Sequence, residues 1–120
     1  MIATILISLA GLMGAGGVVL LAASAHAMSG SGLDSAGQIL LFHAAAILGG
    51  VALLTQGQLM RPLAVVALAG FVLGGFLFSG DITLRAFAGH RIFPMAAPTG
   101  GTILILAWIA VAVSGALGSR

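Results

Sequence analysis

The chain has 120 residues, 61% of them hydrophobic and only 5% charged, with four basic side chains against two acidic ones and no cysteine. Soluble domains carry about a quarter charged residues, so this chain has too few to cover a water-facing surface, and its solvent is lipid. A net charge of +2 without a basic cluster excludes nucleic acid as a partner, and the lack of cysteine excludes disulfides, thiolate nucleophiles and Cys-ligated metal centres.

A membrane helix needs about 20 apolar residues at about 1.5 Å rise each. The first such run is Ile2 to Ala25. Ala25-His26-Ala27 has the form of a signal-peptidase site, but no Lys or Arg precedes the run, and the run exceeds the about 7–15 residues of a signal core. It reads as a retained helix. Inside it, Gly11 to Gly17 (GLMGAGG) lacks the Lys-Ser/Thr of a phosphate loop and reads as a close-packing surface. A Ser/Gly turn (Met28 to Ser35) follows, with Asp34 or Ser35 placed to cap the second span, Ala36 to Leu54. The polar stretch Thr55 to Pro62 leads into the third span, Pro62 to Gly80, with the proline suited to a first helical turn. The loop Ala88 to Pro98 carries His90, Arg91 and two prolines before the fourth span, Thr99 to Leu117. Gly70/Gly74, Gly75/Ser79 and Ser114/Gly118 repeat the small-residue spacing of packed membrane helices. Connections this short make successive helices antiparallel neighbours. The expected architecture is an all-α, four-helix antiparallel membrane bundle forming one domain over residues 1–120, with no internal repeat between the two helix pairs. Orientation leans only slightly toward cytoplasmic termini: Arg61, Arg120 and the amino terminus are expected on one side, Arg85 and Arg91 on the other, with Arg85 partly neutralised by Asp81.

Antiparallel packing gathers polar residues at one end. His26, His43, Ser79, Asp81, Arg85 and Thr99 form the candidate polar cluster, and ionisable groups in a membrane span are functional candidates because they are costly there. Each has a structural reading too. His26 suits the headgroup region, His43 suits a neutral core histidine bonded to a backbone carbonyl or hydroxyl, and His90 suits solvent. His26 and His43 are expected in the same half of the bundle. Asp81 and Arg85, at i and i+4 in acid-before-base order, are expected to pair and anchor the end of the third helix, with proton handling by Asp81 as the alternative. Haem or metal ligation by two histidines finds no supporting carboxylate or dense cluster. Ser79-Gly80 and Ser114-Gly115 lack a nucleophile elbow or a paired base. No catalytic, cofactor or metal residues are expected.

Four segments together carry a family resemblance: LAASAHAM (Leu21 to Met28), LFHAAAIL (Leu41 to Leu48), GGFLFSGDITL (Gly74 to Leu84) and APTGGTILILAW (Ala97 to Trp108). The chain resembles the small four-helix membrane proteins of domain of unknown function family 423, the YgdD-like proteins. His26, His43, Ser79, Gly80, Pro98, Gly100, Gly101 and Trp108 match position by position. The family's Tyr-Gln before the second-helix histidine is replaced by Ile39 and Leu40, and its Ser-Leu-Tyr after the third-helix Ser-Gly by Asp81-Ile82-Thr83. The resemblance implies an integral membrane protein, usually of the bacterial inner membrane, and implies no reaction.

The leading expectation is a non-enzymatic scaffold or accessory subunit whose partners are the lipid bilayer and a membrane-protein complex or homo-oligomer. The runner-up is a small proton-linked transporter or permease using His43 and Asp81, and the third a cofactor-binding protein using His26 and His43.

Overall fold

The computed structural model describes residues 1–118, among which run four helices: α1 (Ile2–His26), α2 (Leu33–Thr55), α3 (Arg61–Ala88) and α4 (Ala96–Leu117). Lipid offers no hydrogen bonds to a backbone, so apolar segments of this length close their own ladders as helices. All four are long and apolar enough to cross a membrane. The protein is an all-α four-helix bundle with successive helices antiparallel. Arg120 lies outside the described residues.

The helix ends depart from the sequence expectation by three residues or more in three places: α4 starts at Ala96 rather than Thr99, and the other two concern α2 and α3. α2 begins at Leu33, behind Gly32 in the left-handed conformation (φ 87°), with no side-chain cap. Leu33 is fully buried, which draws the start of the helix inward and leaves Asp34 within the first turn, where the helix dipole favours an acid. Pro62 lies in the first turn of α3 as expected, but the helix passes Gly80 and runs 28 residues, to a left-handed Gly89 (φ 79°). At about 1.5 Å per residue it is about 42 Å long, about 12 Å more than the hydrocarbon core of a bilayer.

The helices do not close a square. α1 packs on α2, α2 on α3 and α3 on α4, while the Cα atoms of α1 and α4, and of α2 and α4, stay more than 8 Å apart. The shares of the α2 and α3 spans buried, 44% and 39%, are about twice the 22% of α1 and of α4. α2 and α3 are therefore the centre, and α1 and α4 the flanks.

Two glycine pairs set the distances. A Cβ on Gly17 would stand 2.8 Å from the Gly37 carbonyl oxygen, and a Cβ on Gly37 would stand 2.8 Å from that of Gly17. Gly74 and Gly100 show the same reciprocal 2.8 Å approach. The neighbours correspond as well: Gly17 and Gly74 each face the leucine four residues beyond the partner glycine, Leu41 and Leu104. Gly37 and Gly100 face the backbone N of Leu21 and Phe78, each four residues beyond the other glycine. One helix crossing has been built twice. Only the glycines and the register are shared, so the repeat has no visible trace in residue identity.

Between the hairpins lies the core, with Met13, Ile47, Leu68 and Phe71 almost wholly buried. Two serines tie elements across it. Ser79 Oγ donates to the Ala36 carbonyl of α2 at 2.9 Å. Ser114 Oγ donates to the Met60 carbonyl at 2.9 Å, while the Met60 N–H donates back to the Ser114 carbonyl at 3.0 Å. The second pair fastens the end of α4 to the α2–α3 turn.

Candidate functional site

His43 stands ten residues into α2, about 15 Å from its start, and is buried. Trp108 Nε1 donates to His43 Nε2 at 3.0 Å. An indole N–H can only donate, so Nε2 accepts, and the ring proton is on Nδ1, which donates to the Ile39 carbonyl at 2.7 Å. Both nitrogens are thus engaged in the neutral tautomer. Phe71 packs against both rings, its centroid 5.2 Å from His43 and 4.7 Å from Trp108. The bond spans α2 and α4, whose Cα atoms stay more than 8 Å apart, across the face of α3. The structure favours the neutral core histidine over a ligand: a metal or haem iron would have to displace the indole. Among the described residues no group of three or more His or acidic side chains could hold a metal ion.

This position also changes the expected polar end. With Gly17 opposite Gly37 in antiparallel helices, His26 falls level with the turn before α2, and His43 level with Gly11 on α1. About 15 residues of rise, on the order of 22 Å, separate the two histidines along the bundle axis. His43 belongs to mid-depth and His26, which is exposed, to the end. His43 thus stands at the middle of the bundle rather than beside His26 at its end, about 4.5 Å deeper than expected because α2 starts three residues earlier than its apolar run suggests.

Asp81 is fully buried. Its Oδ1 accepts the Ile92 N–H at 3.0 Å, and Oδ2 is buried without a partner. Neither oxygen bonds to Arg85, which is exposed one turn further along, so the expected pair does not form. Asp81 sits under the α3–α4 loop, which folds back until the Ile92 side chain would lie 3.5 Å from a Cβ on Gly80. Arg85 clears the end of the bundle, and a backbone amide reaches the carboxyl first. A carboxyl group placed where an apolar run ends thus holds a loop down.

The remaining members of the cluster do not converge. Ser79 is buried and committed to Ala36, while Thr99 is exposed; His90, outside the cluster, is exposed as well. Near Ser79, a groove of about 470 Å³ lies between α1 and α3 over Leu40, and Ser79 and Thr83 are its hydroxyl-bearing residues. Thr83 Oγ1 donates to the Ser79 carbonyl at 2.7 Å, so both hydroxyl protons are spent within the chain. Sequence reasoning placed Trp108 in a family motif but not beside His43. An indole and an imidazole at nearly matching depth on α2 and α4, ten and twelve residues from their helix starts, were the available signal.

Four membrane-length apolar helices around a shared apolar core define a multi-pass integral membrane protein. Within that class the family model described as protein of unknown function (DUF423) matches residues 13–101. The chain belongs to this family. No solved structure matches it.

Proposed function

We propose that the protein is a non-enzymatic scaffold or accessory subunit of the bacterial inner membrane, holding lipid or other membrane proteins against its flanking helices. The observation that carries this reading is the one-sided packing of α1 and α4, each 22% buried over its span. The polar chemistry of the interior supports it, since His43, Ser79 and Ser114 all engage their side-chain polar atoms in bonds within the chain, three of them between elements. Purification in mild detergent at native expression tests it. Reproducible co-purification of one membrane protein or lipid class is expected, and repeated recovery of the bare chain overturns it.

A proton-linked transporter using His43 and Asp81 draws support from one observation, the unpartnered Oδ2 of Asp81. Phe71, which packs on His43, precedes Asp81 by ten residues, about 15 Å of rise, so the two groups form no direct relay. Solute flux into reconstituted vesicles that disappears with His43→Ala would establish this second reading.

A further inference from the structure

The duplicated crossing makes a statement about the outside of the molecule. Counting along the helices from the paired glycines, Ala10 and Met13 of α1 correspond to Ala67 and Gly70 of α3. Leu40, Ala44 and Ile47 of α2 correspond to Ile103, Ala107 and Ala110 of α4. The first five residues line the surface of the α1/α2 hairpin that receives α3 in the core. Their five counterparts all line an open groove of about 180 Å³ between α3 and α4. The seat that α3 occupies on the first hairpin is therefore present, and vacant within the chain, on the second.

The element that corresponds to α3 is α1. Leu68, Gly75 and Ser79, which α3 turns toward α2, correspond to Gly11, Val18 and Ala22. All three of these are exposed, and a Cβ on Gly11 would meet nothing within 4 Å. Where α3 brings Leu68 and Phe71, α1 brings Gly11 and Gly14, and α4 supplies bulk from its own side through the exposed Leu106 and Val113. Protruding leucine and valine against glycine is the small-residue packing that membrane helices use.

We propose that a second copy of this chain seats its α1 in the α3/α4 groove, antiparallel to α4, as α3 seats between α1 and α2. The contact continues an interface already present within the chain. It is head-to-tail, leaves every copy in the same orientation across the membrane, and builds a ring or an open row according to whether the rotation closes. The assembly stands whichever functional reading holds.

The absence of cysteine makes the test clean. Within the chain, a Cβ on Gly50 would lie 2.5 Å from the Leu68 side chain, and the corresponding positions are Val113 and Gly11. In oxidised native membranes, the double variant Gly11→Cys/Val113→Cys is expected to form covalent dimers and larger products. Each single variant should stay monomeric, and co-expressed single variants should stop at the dimer. The bond cannot close within one protomer, because the Cα atoms of α1 and α4 stay more than 8 Å apart and a disulfide needs Cα atoms within about 7 Å. A second pair, Val18→Cys/Ile103→Cys, corresponds to the Gly75–Leu40 contact and is expected to behave alike. Neither pair linking overturns the proposal. Single variants linking as well as the doubles also overturns it, since that result requires a face-to-face dimer.

Discussion

Trp108→Phe isolates the bond that crosses the bundle. The phenyl ring retains the packing on Phe71, whose centroid lies 4.7 Å from the indole, but removes the N–H that reaches His43 Nε2 at 3.0 Å. His43 is only 5% exposed, so its acceptor nitrogen is left without water. An unsatisfied buried acceptor costs about 1–3 kcal/mol, whereas interhelical hydrogen bonds in membranes average about 0.6 and reach about 1.7 kcal/mol. The single substitution should therefore cost about 1–2 kcal/mol. His43→Leu removes the acceptor instead and orphans the indole. The double variant should be more stable than the sum of the singles predicts, by about 0.6–1.7 kcal/mol. Helical circular dichroism during titration of lipid–detergent micelles with a denaturing detergent gives the three free energies. Single effects that add within about 0.3–0.5 kcal/mol would show that the two rings are neighbours without being partners.

Gly37→Ala, whose Cβ would stand 2.8 Å from the Gly17 carbonyl, should cost about 1–3 kcal/mol by overpacking. Gly49→Ala, with nothing within 4 Å, should be neutral or stabilise by up to about 1 kcal/mol; equal effects in the same titration would refute the close crossing. Arg85→Ala should change stability by less than about 0.5 kcal/mol, and Asp81→Ala should raise hydrogen exchange at the Ile92 amide, which Asp81 Oδ1 now holds. An Arg85→Ala loss that Asp81→Asn recovers would restore the ion pair. Ser79→Ala, which frees the Ala36 carbonyl, should cost about 0.6–1.7 kcal/mol in the same assay, and no loss would mean that the α2–α3 seam does not depend on that bond.

The number, order and antiparallel sense of the helices were legible because lipid leaves so few ways to satisfy a backbone, and apolar length carries the signal directly. The helix ends were not. Gly32 starts α2 through a left-handed backbone rather than a side-chain cap, and Leu33 joins the helix because burial rewards it. That shift of three residues moved His43 from about 10 Å to about 15 Å below the start of its helix. Asp81 failed for a different reason. Its i and i+4 geometry with Arg85 is sound on an isolated helix, but a returning loop supplied an amide that no spacing rule within one helix could reveal. The doubled crossing was illegible because it lies in the placement of four glycines, among 19 in the chain, rather than in any repeated string.

The two glycine crossings also imply an order of assembly during biosynthesis. Each joins helices that are consecutive in the chain, so a hairpin can close as soon as its second helix leaves the insertion machinery, before the other hairpin exists. Domains and sub-units generally form in the order of synthesis, and here α1/α2 would wait in the bilayer with its seat for α3 unfilled. The His43–Trp108 bond joins the second helix to the fourth and can form only after both hairpins have docked. It therefore belongs to the late steps of assembly. The chain holds a single tryptophan, so its fluorescence reports when that step occurs.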